Sequence, residues 1–415
     1  MIRIDANAYS GSCSCGKEHK MTTKLCIIEP GALLKLDGYL AECGLSGISV
    51  AIYDENTRAA VGDRAPRVDY EIVLPAERLH ADDEAVAMLA EMLPVEMDYL
   101  IALGAGSIHD ITRYTAYERG IPFVSCPTAA SVDGFCSSVA AMTWHGFKKT
   151  LTAVPPTLVV ADTDVIKAAP MRLSASGFSD MIGKYICLAD WRIGNALTGE
   201  YLCERILGIT AKATEETLNA ATGVSRGDAD AYERLTYGLL MSGLAMQMLG
   251  NSRCASGAEH HISHLIEMHP EGLGVCSDAL HGEKVGVGTL MASRIYHGLR
   301  NSTPTFGDYK RAERAYIEAM FGRTLAPDII AECESDVAEG IGAEAVAAAW
   351  DRISDIISDI PTPESLSAIY AELGAPMTLG DIGVSADCED ALLEYSPLVR
   401  NRLTLMRLRR GGAVS

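Results

Sequence analysis

Basic residues are scarce in this sequence. Its 415 residues include 35 Lys and Arg against 55 Asp and Glu, which gives a formal net charge of −20. Nucleic acids and anionic membranes bind best to basic surfaces, so this charge argues against either as the main partner. The composition, with 48% hydrophobic and 22% charged residues, is otherwise that of an ordinary globular chain.

Long apolar runs are also missing. No stretch approaches the roughly 18 apolar residues that a membrane helix needs, so we expect no membrane span. The opening segment, MIRIDANAYSGSCSCGKEH, lacks the apolar core of an export signal, and we expect a cytoplasmic protein. The 12 Cys are scattered, mostly inside apolar segments, which predicts reduced thiols rather than a disulfide framework.

Two regions differ in their hydrophobic pattern. Up to about Pro170, short β-type runs alternate with helical stretches, the pattern of a parallel sheet flanked by helices. Beyond it the pattern is almost wholly helical. We therefore predict an α/β domain over residues 1–169 and an all-α domain over residues 170–415. The predicted strands are 25–28, 47–53, 99–103, 123–126 and 157–161, and the predicted helices among them are 31–43, 82–93 and 108–119.

Two turns rich in small residues follow predicted strands. In the first, GAGSIHD (104–110), the backbone N–H groups of a helix start could hold a pyrophosphate. His109 stands at the third glycine position of the GxGxxG fingerprint, so a plain strand-to-helix turn remains an equal alternative. The second, PTAASVDGFCSS (127–138), offers hydroxyl groups, which also often cap their own backbone. Asp54 follows another predicted strand, where its carboxylate could bind the ribose of a dinucleotide. An ordinary turn residue is the plainer interpretation.

Histidines and one aspartate are candidate metal ligands. In a helix, His260 and His264 share one face while His261 points elsewhere. The protease motif H-E-x-x-H is not met, because His261 occupies the position of the glutamate. Asp180 lies in an apolar helical segment and needs a partner, and His281 opens a glycine-containing segment. One Asp and two His would leave coordination positions open for substrate, as in catalytic metal sites.

A second cluster lies near the N-terminus. Cys13, Cys15 and His19 carry donor atoms that suit a structural metal. No fourth ligand follows at a zinc-finger spacing, so the sequence favours a simple turn there.

Taken in order, five motifs carry a family resemblance. They resemble the sn-glycerol-1-phosphate dehydrogenases, a branch of the iron-containing alcohol dehydrogenase and dehydroquinate synthase-like superfamily. The resemblance runs from about residue 30 to residue 281 and departs from the usual GGGS at Ala105. It implies a Rossmann-like N-terminal domain, a helical C-terminal domain, a divalent metal ion and NAD(P)-linked interconversion of dihydroxyacetone phosphate and sn-glycerol 1-phosphate. The motifs are GAGSIHD, PTAASVDGFCSS, SGFSDMIGK, SGAEHHISH and HGEKVGVG.

The resemblance also assigns roles to residues. It implies that Asp180, His260 and His281 hold the metal ion, with zinc first and nickel or iron as alternatives. Asp133 would contact the substrate, and His264 would face it as a candidate proton relay. The cofactor-binding residues would be Gly104, Ala105, Gly106, Ser107, Asp110, Thr128, Ser131 and Ser137, and Asp54 is added to them as the ribose candidate.

Substrate phosphate needs a cation. Lys184 follows Asp180 by four residues, on the same face of a predicted continuous helix, and is the candidate for this role. A glycerol or other polyol dehydrogenase, a dehydroquinate synthase-like enzyme and a silent binding protein remain alternatives. We expect a small phosphorylated triose or polyol as substrate and a homo-oligomer. We also expect the basic C-terminal tail to form a helix that packs by Leu and Met, with Arg outward.

Overall fold

The computed structural model describes residues 1–144 and 147–415. The chain forms two compact units, Met1–Met181 with Glu215–Asn251, and Ile182–Thr214 with Ser252–Ser415. The sequence predicted two consecutive domains, 1–169 and 170–415, whereas here Glu215–Asn251 returns to the first unit. This segment packs closely at Gly243, where an added Cβ would lie 2.7 Å from Cβ of Cys136. Such a long-range contact leaves no periodic signal in the sequence.

The first unit contains the strands. They are, in chain order, β1 (Ile2–Asp5), β2 (Gly11–Ser12), β3 (Glu18–His19), β4 (Leu25–Glu29), β5 (Ser49–Asp54), β6 (Tyr70–Leu74), β7 (Tyr99–Gly104), β8 (Phe123–Pro127), β9 (Val139–Trp144), β10 (Phe147–Thr152) and β11 (Leu158–Asp162). The main sheet has the order β1-β4-β11-β8-β7-β5-β6, and β2 with β3 and β9 with β10 form two separate two-stranded antiparallel sheets.

All neighbours in the main sheet are parallel except β1, which pairs antiparallel with β4. Every residue of β7, β8 and β11 is buried, as expected for parallel strands covered on both faces. The predicted α/β fold and its five predicted strands are confirmed. The sequence missed β6, an edge strand whose Tyr70 and Glu71 are exposed.

Helices follow most of the strands and make up the later part of the chain. They are α1 (Leu36–Glu42), α2 (Glu55–Val61), α3 (Asp83–Met92), α4 (Gly106–Arg119), α5 (Thr163–Ala168), α6 (Met171–Ile182), α7 (Lys184–Thr198), α8 (Glu204–Asn219), α9 (Ala221–Arg226), α10 (Ala229–Leu249), α11 (Ala258–Glu267), α12 (His281–Asn301), α13 (Arg314–Glu332), α14 (Ala343–Ser358), α15 (Pro363–Leu373), α16 (Glu389–Tyr395) and α17 (Leu405–Arg410). None of the described helices is long and apolar enough to cross a bilayer.

The second unit is built around its own apolar core. Ile262 and Leu265 of α11 are fully buried in it together with Val287 and Met291 of α12. The C-terminal tail forms α17, but the expectation that its arginines face outward is wrong for Arg407. This side chain is completely buried, and its Nε donates to Oδ1 of Asp336 at 2.9 Å. A buried carboxylate partner offsets the energetic cost of burying a guanidinium. The sequence could not reveal this partner.

Candidate functional site

The turn after β7 connects the sheet to the start of α4. At Gly104 an added Cβ would lie 2.5 Å from Cβ of Ile108, so glycine allows the strand and helix to pack closely. Ala105 has φ −92°, an ordinary value for an L-residue, so its departure from the usual GGGS strains nothing. No side chain caps α4, and the N–H groups of its first turn, including those of Gly106 and Ser107, point where an anion could bind.

The side chain of His109 holds this turn in place, and the neighbouring Asp110 contacts another segment. Nδ1 of His109 donates to the carbonyl oxygen of Ala105 at 2.9 Å, and the Ser125 hydroxyl donates to its Nε2 at 2.8 Å. Burial lowers the pKa of His109 to about 3, so the ring is neutral. Asp110 accepts from the backbone N–H of Ala141 at 3.3 Å. The His109 side chain therefore braces the turn, whereas Asp110 contacts β9.

The second predicted turn packs against α6 within the same unit. A Cβ on Gly177 would overlap the carbonyl oxygen of Ala130, so only glycine allows this approach. Ser176 Oγ donates to the carbonyl oxygen of Ser131 at 3.3 Å. The backbone N–H of Asp133 donates to Oδ2 of Asp180 at 3.0 Å. Residues 130–133 and 176–180 thus meet within the first unit, and the predicted substrate residue Asp133 contacts the predicted ligand Asp180.

The hydroxyl residues of the second turn differ in what they contact. The backbone N–H of Thr128 donates to the carbonyl oxygen of Gly104 at 3.0 Å, which joins the two turns. Oγ of Ser131 is buried and has no hydrogen-bond partner among the described residues. Oγ of Ser137 donates to the carbonyl oxygen of Val139 at 3.0 Å. Ser131 is therefore the member of this set whose polar atom a ligand would satisfy.

Asp54 and Asp133 already have partners within the first unit. Oδ1 of Asp54 accepts from the N–H of Thr57 at 2.8 Å and so caps α2, in keeping with the turn interpretation. Oδ2 of Asp133 accepts from the Ser242 hydroxyl at 2.8 Å. The cofactor role of Asp54 and the substrate role of Asp133 remain predictions.

Three histidines converge in the second unit. His260 and His264 lie on α11, and His281 is the first residue of α12. The His281 ring centroid lies 5.4 Å from that of His260 and 6.0 Å from that of His264. A ring nitrogen of His260 and one of His281 lie within 4.8 Å of each other, a separation that two ligands of one metal ion can have. His261 is buried outside this group, as its helical position predicts.

Two carboxylates that were not predicted from the sequence orient two of these histidines. Nδ1 of His260 donates to Oε1 of Glu259 at 2.6 Å, and Nδ1 of His281 donates to Oε1 of Glu267 at 3.0 Å. With the proton on Nδ1, Nε2 is the ring atom that can present a lone pair to an ion. This is the arrangement of carboxylate, histidine and metal ion that tunes many metal sites. Only the acidic neighbours of the SGAEHHISH motif hinted at it.

The surrounding charges favour this protonation pattern. Burial alone would raise the pKa of Glu267, but His281 and Lys284, whose Nζ lies 3.4 Å from Oε1, hold it well below its usual range. Burial, together with the neighbouring His260, lowers the pKa of His264 well below its ordinary value. Glu267 is therefore a carboxylate and His264 a neutral imidazole near neutral pH.

Asp180 and Lys184 lie on two successive helices. α6 ends at Ile182 and α7 begins at Lys184, so Asp180 and Lys184 do not belong to one continuous helix. Gly183 lies between them and has right-handed helical angles, φ −52° and ψ −25°. The Lys184 side chain is fully buried. Its role toward a phosphate remains a prediction.

Comparison with solved structures identifies the fold. The chain superposes on a probable glycerol dehydrogenase from Sinorhizobium meliloti with a TM-score of 0.61 at 19% identity, covering 93% of this chain and 91% of that one. A sulfoacetaldehyde reductase from Bifidobacterium kashiwanohense, solved in complex with NAD+, gives a TM-score of 0.60 at 16% identity, covering 94% and 97%. Residues 27–170 match the family model described as iron-containing alcohol dehydrogenase. The fold is that of the iron-containing alcohol dehydrogenase class.

Sequence comparison narrows this class. A glycerol-1-phosphate dehydrogenase [NAD(P)+] from Bacillus licheniformis is 35% identical, covering 96% of this chain and 92% of that protein. The protein of the same name from Thermococcus kodakarensis is 34% identical over 62% of this chain and 73% of its own length. The chain belongs to the glycerol-1-phosphate dehydrogenase family.

Proposed function

We propose that this protein is an NAD(P)-dependent enzyme that interconverts dihydroxyacetone phosphate and sn-glycerol 1-phosphate with the help of one divalent metal ion. The observation that carries the proposal is the pair His260 and His281, each held by a carboxylate at Nδ1. Family membership supports the same reaction, because the relatives from Bacillus licheniformis and Thermococcus kodakarensis are named for it.

Asp180, His260 and His281 are the proposed metal ligands. The two histidines fit a metal ion because their Nδ1–carboxylate hydrogen bonds leave Nε2 as the donor atom. Asp180 is fully buried, and Oδ2 accepts one backbone N–H, an anchor that fixes the carboxylate for binding a cation. One carboxylate and two imidazoles suit zinc, which we propose first, and also iron and nickel.

The start of α4 and the turn beside it are the proposed dinucleotide site. The N–H groups at Gly106 and Ser107 can hold a pyrophosphate, because no side chain caps this helix. The buried, unpartnered hydroxyl of Ser131 can accept a hydrogen bond from the cofactor or donate one to it. Thr128 contributes through its backbone N–H, which joins the two turns, and Ser137 lies at the end of the second turn, where it donates to Val139.

The chain's own residues would position the substrate and a proton. When bound, the metal ion polarises the substrate carbonyl and the reduced nicotinamide supplies a hydride. Carbonyl reduction also takes up one proton, and the neutral ring of His264 can relay it, with water as the competing route. Asp133 would bind a substrate hydroxyl, and Lys184 the phosphate. We also propose a homo-oligomer in the cytoplasm.

The decisive experiment follows loss of reduced nicotinamide absorbance with dihydroxyacetone phosphate, before and after chelation, and assigns the product's stereochemistry. Chelator-sensitive formation of sn-glycerol 1-phosphate is the expected result. Asp180→Ala and His281→Ala should lose turnover and bound metal together. Full turnover of either variant in the presence of chelator would overturn the metal assignment. Turnover of dihydroxyacetone or glycerol alone would favour a polyol dehydrogenase, the reaction named for the Sinorhizobium meliloti structure.

A further inference from the structure

The N-terminal hairpin brings two thiols and an imidazole together. β2 and β3 pair with Gly11 opposite His19, and the chain between them reverses in a tight turn. In that turn the N–H of Cys13 donates to the carbonyl oxygen of Lys17 at 3.0 Å. Gly16 adopts φ +86°, a left-handed conformation that glycine tolerates and other residues rarely adopt. The reversal places Cys13, Cys15 and His19 on a common side.

The spacing of the donor atoms matches that of a tetrahedral metal site. Both Sγ atoms and a ring nitrogen of His19 lie within 4.8 Å of one another. Sγ of Cys15 lies 3.5 Å from Nε2 of His19. Zinc–sulfur and zinc–nitrogen bonds of about 2.3 and 2.0–2.1 Å at a tetrahedral angle separate those two atoms by about 3.6 Å. The hairpin therefore needs little adjustment to coordinate an ion.

The imidazole is already turned to present a lone pair to the thiols. Nδ1 of His19 lies 2.8 Å from the carbonyl oxygen of Met248, and a carbonyl oxygen can only accept a hydrogen bond. Nδ1 therefore carries the proton, and Nε2, the atom beside Cys15, carries the lone pair. The His19 side chain is only 2% exposed, so this orientation is fixed by its surroundings. Metal-binding histidines are oriented in this way by backbone carbonyls.

We propose that Cys13, Cys15 and His19 bind a structural zinc ion, separate from the ion of the reaction site. The two thiols lose their protons on binding, and the resulting thiolates with one imidazole form a donor set that zinc prefers. Through the bond from His19 to Met248, the ion would secure the hairpin to α10. The sequence favoured a plain turn because it lacked a fourth ligand, but the fold shows three donors already assembled. A further cysteine or a water molecule would complete the tetrahedron.

Metal content of the full-length protein tests this site. After purification with zinc, the wild type should hold one equivalent more than a Cys13→Ser/Cys15→Ser double variant, measured by elemental analysis. Cys276→Ser, a change at an exposed cysteine outside the hairpin, is the matched control and should retain every equivalent. His19→Gln should lose the same single equivalent as the double variant. Retention of all zinc by the double variant would overturn the proposal.

Cobalt replacement tests the site in the unaltered protein. This test therefore does not depend on whether the variants fold. Cobalt bound through thiolate produces a near-ultraviolet charge-transfer band, which a site made of one aspartate and two histidines cannot give. We expect this band in the wild type and in His281→Ala, which removes the other ion. Its absence from the cobalt-loaded wild type would rule the site out, whatever the enzyme's activity.

X-ray absorption of a zinc-loaded His281→Ala protein counts the ligands. Two sulfurs with nitrogen and oxygen would support the hairpin with water, and three sulfurs would support it with a further cysteine. One sulfur or none would contradict the proposal. Where three are found, serine variants of the remaining cysteines, made one at a time, would identify the third.

Discussion

Nδ1 of His281, the first residue of α12, donates to Oε1 of Glu267, the last residue of α11, at 3.0 Å. Because the same carboxylate also lies 3.4 Å from Nζ of Lys284, it remains ionised and keeps the histidine proton on Nδ1. A carboxylate in this position strengthens the other ring nitrogen as a metal ligand. Glu267 therefore acts as a positioning residue for the proposed metal site.

Replacing Glu267 with glutamine should weaken metal binding without removing a ligand. We expect Glu267→Gln to lower the affinity for zinc by about 10–100-fold, the usual effect of losing such a partner. Competition with a chromogenic chelator would measure it. The exposed Glu271 provides a control, since Glu271→Gln changes the same charge outside this contact. Equal affinities of the wild type and Glu267→Gln would show that the carboxylate does not tune the site.

A phosphate role for Lys184 has a kinetic signature. Lys184→Met keeps much of the buried aliphatic stem and removes the charge. Because a hydrogen bond to a charged group contributes about 1.5–3 kcal/mol, KM for dihydroxyacetone phosphate should rise about 10–100-fold, with KM for dihydroxyacetone nearly unchanged. The exposed Lys212 on α8 supplies the control variant, Lys212→Met. An equal rise for both substrates would indicate a structural effect of Lys184.

The contact between Gly177 and Ala130 should be sensitive to one methyl group. Gly177→Ala forces a Cβ against the backbone carbonyl of Ala130, so α6 and the turn must separate. We expect a loss of about 1–3 kcal/mol in the free energy of unfolding, the cost typical of overpacking, and weaker binding of NADH. Gly208 on α8 has nothing within 4 Å of the added Cβ, and Gly208→Ala should be neutral or stabilising by up to about 1 kcal/mol. Urea titration and fluorescence titration of NADH would compare them.

The buried carboxyl of Asp190 predicts a pH dependence of stability. It accepts hydrogen bonds from the Tyr296 hydroxyl at 2.6 Å and from the N–H groups of Ala258 and Leu405 at 2.9 Å. Burial raises its pKa to about 7 despite these bonds, whereas the pKa of an aspartate in an unfolded chain is about 3.9. Between these values the folded state holds more protons, so the contribution of Asp190 to stability falls as pH rises.

Asp190→Asn removes this titration. The difference in free energy of unfolding between Asp190→Asn and the wild type should shift in favour of the variant by on the order of 1 kcal/mol per pH unit from pH ~4.5 to pH ~7. The variant should be less stable overall, because one buried hydrogen-bond acceptor is lost. Urea midpoints across this range would measure the difference. Asp351→Asn, at an exposed position, should run parallel to the wild type. A constant gap between Asp190→Asn and the wild type would refute the raised pKa.

Local patterns predicted the elements better than they predicted contacts. The alternation of apolar runs located the central strands, because strands buried on both faces are apolar throughout. The edge strand β6 was missed, since one of its ends is exposed and polar. The buried Arg407 was also missed, because its partner Asp336 lies in a distant segment. A single helix through Gly183 was predicted, whereas the structure divides this segment into α6 and α7.

By itself, the sequence determined the parallel α/β fold, the placing of His260 and His264 on one helix face, and the family. These depend on periodicity and on the order of motifs, which are local properties. Only the tertiary structure brought His281 beside His260 and placed Glu267 within hydrogen-bond distance of the His281 ring. It also oriented the His19 ring toward Cys15. Each of these depends on how separate segments pack and on which nitrogen of a ring meets an acceptor, and no local pattern encodes either.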